Sequence, residues 1–258
     1  PSMFSVTFVG TGAAFSKKYG HTNFLIESNQ AKLMIDFGYL TPIGLEKINF
    51  DLQQLTHVFI SHIHADHVGG LEELAFSAMF SYHKKPHLIL PGKLKEPLWN
   101  NSLSGGLELS SDESGQPITC CFEDYFDISE IDENWFELDN IKIKPFQVDH
   151  VPGKESYGVI VRDQETGKQI IFTCDVKNKL SQFTTDAEFL DGIIVHDCQL
   201  LNDGQGRVHT PLDVILTYPE SVLERTYLIH YGDQVDEHRH KIENTSLKFA
   251  KQGEKIIF

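Results

Sequence analysis

Ser61-His62-Ile63-His64-Ala65-Asp66-His67 runs directly into Val68-Gly69-Gly70, and the reading of the whole chain turns on this stretch. In extended backbone, residues two apart point the same way, so His62 and His64 can grip one ion. Asp66 and His67, at the turn into the next element, face a second position nearby. Imidazole suits zinc, and a mixed histidine and carboxylate set suits zinc or manganese. Two such ions together stabilise both the attacking and the leaving oxygen of an in-line displacement. A run of this density followed by Gly-Gly and an amphipathic helix rarely arises without a metal to hold.

A two-metal site needs further ligands, each delivered at the end of a strand. Three stand in order along the chain. His150 follows an expected strand at 141–148, Asp175 follows one at 168–173, and His230 ends one at 226–230. In each case an apolar run carries a polar residue at its tip.

Around these positions the pattern alternates between strand and helix. Strands are expected at 4–10, 23–28, 32–36, 57–61, 87–90, 157–162 and 192–196, with a hairpin across 163–167. After His67 the period changes: Leu71, Leu74, Ala75, Ala78, Met79 and Tyr82 share one helical face. Helices are also expected at 176–189, 211–218 and 235–251, with Thr210 capping and Pro211 at the first helical position. Strands and helices mixed in two halves imply two sheets between helical layers. Residues 1–258 read as one domain with an insertion around 96–141. That segment holds no Lys or Arg and many acidic residues, and reads as a lid, an interaction surface or a solvated acidic loop.

The chain has 258 residues, 40% hydrophobic and 23% charged, as in an ordinary soluble protein with a sizeable core. No apolar run reaches the length of a membrane span, and the start lacks the pattern of a secretion signal. Pro1-Ser2 ahead of Met3 reads as a cloning remnant. Cys120, Cys121, Cys174 and Cys198 have no metal-binding spacing and read as reduced thiols, so a cytoplasmic location is expected. The net charge of −15 disfavours a large nucleic acid, whose backbone demands basic contacts. A small anion remains compatible, because bound cations dominate the local field.

His62-x-His64-x-Asp66-His67 with His150, Asp175 and His230 resembles the metallo-β-lactamase superfamily over nearly the whole chain. The resemblance implies a four-layer αββα sandwich. It implies His62, His64 and His150 on the first metal, Asp66, His67 and His230 on the second, and Asp175 bridging. Diiron flavoprotein-type members replace the second histidine with Glu, whereas His64 is intact. True β-lactamases lack the bridging Asp and use a Cys ligand, and glyoxalase II-like thioesterases share the seven ligands.

Other segments resemble the tRNase Z-like phosphodiesterase branch: Gly10-Thr11-Gly12-Ala13-Ala14 with Asn23-Phe24-Leu25-Ile26, the run from His150 to Gly158, and His196-Asp197-Cys198-Gln199 with the later His209-Thr210. There the pattern implies that His209, oriented by Asp197, protonates the leaving alkoxide, while Asp66 orients the attacking water. His196 is expected to support a ligand. Of the other histidines, His57 reads as structural, His83 and His87 as flanking a surface turn at Pro86, and His238 and His240 as solvated. His21, ahead of the second strand, is expected to reach the pocket rim. A tRNA-processing enzyme needs a basic arm, which the acidic balance contradicts. His196–Gln199 together with Tyr227–Asp233 is similar instead to the anti-Pycsar phosphodiesterases of phages and their bacterial relatives. That resemblance implies a homodimer that hydrolyses cyclic mononucleotides such as cCMP and cUMP. A tRNase Z-like endoribonuclease and a non-enzymatic binder that sequesters a nucleotide are the alternatives.

Overall fold

The computed structural model describes residues 3–204 and 206–258. Pro1 and Ser2, read above as a cloning remnant, lie outside the described residues. The first strands are β1 (Phe4–Gly10), β2 (Asn23–Ser28), β3 (Lys32–Ile35), β4 (His57–Phe59) and β5 (His87–Pro91). A small hairpin, β6 (Leu109–Ser111) with β7 (Pro117–Thr119), precedes β8 (Asp127–Ile131), β9 (Phe136–Leu138), β10 (Ile141–Gln147), β11 (Tyr157–Asp163) and β12 (Gln169–Phe172). The chain ends with β13 (Ile193–Asp197), β14 (Thr226–Ile229), β15 (Lys248–Phe249) and β16 (Lys255–Ile257).

One seven-stranded sheet has the order β16-β1-β2-β3-β4-β5-β8, and the other β15-β14-β13-β12-β11-β10-β9. Alternation along each strand builds the layers. Phe24, Ile26, Leu33, Ile35 and Phe59 face Ile170, Phe172, Val195 and Ile229 in the core between the sheets. The residues between them point outward: Leu25, Met34 and Val58 pack under Leu71, Leu74 and Leu94. Ile171, Ile194 and Leu228 do the same on the other side, against Phe183, Leu212 and Ile215. Three parallel cores make four layers, the αββα sandwich. No helix among the described residues is long and apolar enough to cross a membrane.

The structure redraws several expected elements. The segment 176–189 is not a helix; only Gln182–Thr185 and Ala187–Phe189 form short turns. Its backbone donors have long-range partners: Val176 N donates to Asp197, Lys177 N to the Asp149 carbonyl and Leu180 N to the Tyr218 hydroxyl. Local periodicity cannot compete with those bonds. Pro211 occupies the cap position of the turn Leu212–Ile215, and Thr210 Oγ1 donates to the Val176 carbonyl instead of capping. The expected helix at 235–251 is a 3-10 segment, Val235–Ile242, followed by the edge strand β15. Thr245 interrupts it, accepting from Leu247 N through its own hydroxyl. His87 starts β5 and bonds Ser129 Oγ at 2.6 Å, so only His83, exposed and left-handed at φ 53°, sits in the surface turn.

The acidic 96–141 segment is woven into both sheets. It supplies β8 to one and β9 to the other, and it buries Leu98, Leu107, Phe122 and Tyr125 in the outer core. The β6–β7 hairpin is the part that belongs to neither large sheet.

Candidate metal centre

Both sheets end their inner strands at one edge, and the ligand candidates sit on those ends. Three of the residues there hold left-handed backbone without being glycine: Asp36 (φ 64°), Cys174 (φ 51°) and His230 (φ 63°). Such strain survives only where surrounding bonds fix it. For His230 the Thr11 carbonyl does so, accepting from His230 N at 2.8 Å. Opposite, Gly38 passes so close to the Asp66 carbonyl and His21 Nδ1 that a Cβ would stand 2.2 and 2.5 Å from them. Only glycine lets that loop seat beneath the histidine cluster.

The geometry converges on one oxygen. Asp175 Oδ2 lies 3.2 Å from His67 Nε2, 3.4 Å from His62 Nε2 and 3.5 Å from both His150 Nε2 and His230 Nε2. Donor atoms of His62, His64, His150 and Asp175 fall within 4.8 Å of one another, and so do those of Asp66, His67, Asp175 and His230. The seven residues singled out in the sequence thus form two groups that share Asp175. His62, His67, His150, Asp66, Asp175 and His230 are all buried, and His64 is the partly exposed member.

The donor chemistry fits divalent cations. His150 Nε2 and Asp175 Oδ1 are buried without a hydrogen-bond partner. Burial holds His62 neutral, with a pKa of about 3, and His64 likewise, at about 4. Burial opposes the ionisation of Asp66 and Asp175, but the adjacent imidazoles outweigh it and keep both carboxylates well below the usual range. Conversely, burial disfavours protonated His230, yet Asp175, Asp66 and Asp197 lift its pKa to about 9. The carboxylates therefore draw positive charge into the centre, and a divalent ion would take the place of those protons.

A second ring of groups fixes the donors. Asp36 accepts from Ser61 N at 2.8 Å, Ser61 Oγ at 2.6 Å and His67 Nδ1 at 2.6 Å. Sequence reasoning missed this carboxylate; its signal was the familiar one, an acidic residue ending the apolar strand β3. His150 Nδ1 donates to the Val208 carbonyl at 2.7 Å, which turns Nε2 inward. His196 does not bond a ligand candidate, contrary to expectation. Its Nε2 lies 2.8 Å from the Tyr218 hydroxyl and its Nδ1 2.8 Å from the Asp197 carbonyl.

Beside the two groups stands a dyad. His209 Nδ1 donates to Asp197 Oδ2 at 2.7 Å, and the His209 ring stacks on His230 with centroids 4.4 Å apart. Cavities flank the centre, among them one of about 410 Å³ beside His150 and two larger ones. One of about 540 Å³ is lined by Ile63, His64, Leu94, Pro97 and Lys154; the other, of about 800 Å³, has His209 and His230 in its wall. His238, expected to be solvated, is buried and contributes to the wall of the larger one. His21 is buried as well, its ring edge-on to Tyr39 at 4.4 Å, and burial lowers its pKa to about 4.

Residues 4–256 match the family described as Anti-Pycsar protein Apyc1. The chain belongs to that family. An Apyc1 protein from Paenibacillus harenae is 38% identical over 236 residues, covering 91% of this chain and 92% of the relative. One from Bacillus phage 010DV004 is 34% identical over 261 residues, covering 98% and 97%. Among solved structures, the metallo-β-lactamase fold protein YhfI from Bacillus subtilis superposes with a TM-score of 0.73 over 99% of this chain and all of its own (100%), at 14% identity. This chain of the Apyc1 family therefore has the metallo-β-lactamase fold, as the sequence implied.

Proposed function

We propose that the protein is a two-metal phosphodiesterase that opens 3′,5′-cyclic mononucleotides, such as cCMP and cUMP, to 5′-monophosphates. The observation that carries this reading is the His209–Asp197 dyad standing next to two donor groups joined at Asp175. An expelled sugar oxygen is a poor leaving group unless it is protonated, and a thioesterase has no need of such a donor. In this reading His62, His64 and His150 hold one divalent ion, Asp66, His67 and His230 the other, and Asp175 joins them. The donor set suits zinc and admits manganese. When bound, the ions supply charge to the phosphate oxygens and lower the pKa of the attacking water.

The chain's own residues do the rest. Asp66, kept ionised, accepts a hydrogen bond from the attacking water and sets its direction. Burial disfavours protonated His209, but Asp197 outweighs it and raises the pKa. In the imidazolium Asp197 holds Nδ1–H, so Nε2–H is the bond that hands a proton to the 3′ oxygen as its bond to phosphorus breaks. The water oxygen forms the new bond to phosphorus, and its own proton leaves to solvent, from which Nε2 is recharged. The relatives are named anti-Pycsar proteins, and by the same reading this chain removes a cyclic-nucleotide antiviral signal in the cytoplasm, acting as a homodimer.

Incubating metal-loaded protein with cCMP, cUMP, a short RNA and a thioester separates the alternatives. The expected result is 5′-monophosphate from the cyclic nucleotides alone. Cleavage of RNA only would sink the reading and favour the endoribonuclease. Binding of cyclic nucleotide without turnover would favour a sequestering protein.

A further inference from the structure

Phe15 is the most exposed large apolar residue described, at 86%. It is not part of a loose loop. Thr11 N donates to the Tyr19 carbonyl at 2.9 Å, Ser16 N to the Ala13 carbonyl at 3.0 Å and Ala13 N to the Tyr231 carbonyl at 2.9 Å. Asp233 closes the loop from outside, accepting from Ser16 Oγ at 2.6 Å, Lys17 N at 2.8 Å and Lys18 N at 3.2 Å. Ser16 itself is buried. A tightly bonded turn thus holds a benzyl ring in the open, where an unconstrained chain would fold it away.

The ring stands in the wall of the 800 Å³ cavity, the same one that His209 and His230 line. Gln199, Gln234 and Glu237 bring amide and carboxylate groups to that wall. The cavities beside His64 and beside His150 have no Phe, Tyr or Trp in their lining. Once a cyclic phosphate sits at the metal centre with its 3′ oxygen toward His209, the attached base must extend into an adjoining space. A nucleobase has apolar faces and polar edges, and the larger cavity offers an aromatic face with polar groups around it.

Resting on the phosphodiesterase reading above, we propose that Phe15 is the platform on which the substrate's nucleobase stacks, with Asp233 as the positioning residue that holds the platform in place. Stacking needs no basic residue, which suits a chain of net charge −15. Every base has a π-face, so Phe15 sets affinity for the base as such and leaves the choice between bases to the polar groups.

The test compares metal-loaded wild type with Phe15→Ala, Phe15→Trp and Asp233→Asn, using cCMP, cUMP and cAMP. Phe15→Ala should raise KM about tenfold or more for all three, with the effect on KM rather than kcat. Phe15→Trp should restore KM, and its indole fluorescence should be quenched on nucleotide binding. Asp233→Asn should raise KM in wild type yet add little to Phe15→Ala, because both act through one ring. If wild type turns over cyclic nucleotides and Phe15→Ala keeps KM within about twofold, the stacking role is wrong and the phosphodiesterase reading stands. If wild type turns over none of them, the reading falls first and this inference with it.

Discussion

His209 and Asp197 are joined through a single oxygen that does two jobs: Asp197 Oδ2 accepts from His209 Nδ1 at 2.7 Å and from Val176 N at 2.9 Å. The backbone bond locks the carboxylate, and the locked carboxylate orients the imidazole.

If His209 is the proton donor, His209→Ala should lower kcat by roughly 10²–10⁴-fold, the range of general acid catalysis. Asp197→Asn should cost a comparable factor, because an amide at that position favours the wrong tautomer. Both variants should keep two metals per chain by elemental analysis. Because donor atoms of Asp197, His209 and His230 also cluster within 4.8 Å, loss of metal on His209→Ala would make His209 a ligand instead.

Asp175 is common to both donor groups, whereas His62 belongs to one of them and His230 to the other. Asp175→Ala should therefore lose both ions and all turnover. His64→Ala and Asp66→Ala should also abolish turnover; full activity in either would refute the two-metal proposal.

Asp36 touches no metal in this reading, yet Asp36→Asn should weaken metal affinity about 10–100-fold by loosening His67. It should also lower stability by roughly 1–3 kcal/mol, since the bonds from Ser61 and His67 cannot all be kept by an amide. Metal titration and urea unfolding of the same variant separate the two effects.

Stripping metal with a chelator should lower Tm. A ligand present at a hundredfold its Kd stabilises the native state by about 2.7 kcal/mol. Restoring zinc or manganese should return the loss, and Asp175→Ala should show neither change.

Burial, aided by neighbouring His87, lowers the His57 pKa from 6.5 to about 4. The unfolded chain therefore takes up a proton at higher pH than the folded one. The contribution of neutral His57 is complete above pH 6.5 and is lost as pH falls toward 4. The stability difference between wild type and His57→Gln, from urea midpoints at pH 7.5 and 5, should move in favour of the variant at the lower pH.

His62, His64, Asp66 and His67 were legible from their close spacing, and His150, Asp175 and His230 because each is a polar residue at the end of an apolar run; both are local patterns. Asp36 obeys the same rule, but an Asp before Phe37-Gly38 reads equally well as a turn. The helix expected at 176–189 failed because its backbone donors belong to Asp149, Asp197 and Tyr218, contacts that no window of sequence contains. His238 carries a charged neighbourhood in sequence and a buried one in space. Phe15 could not be singled out at all, since its distinction is to be left uncovered, which only tertiary structure defines.

The residues meeting at the centre are drawn from far apart: Asp36 and His67 are separated by 31 positions, His67 and Asp175 by 108, and Asp66 and His230 by 164. Contacts of such span form late, after the loops between them have closed. A nascent chain that has not yet supplied His230 cannot complete the second donor group, however well its first sheet has formed. In the two-metal reading, ion uptake would thus work as a completion check on synthesis and folding. A truncated or misdocked chain would be inert rather than partly active, and loading would favour the one arrangement in which both sheets have met.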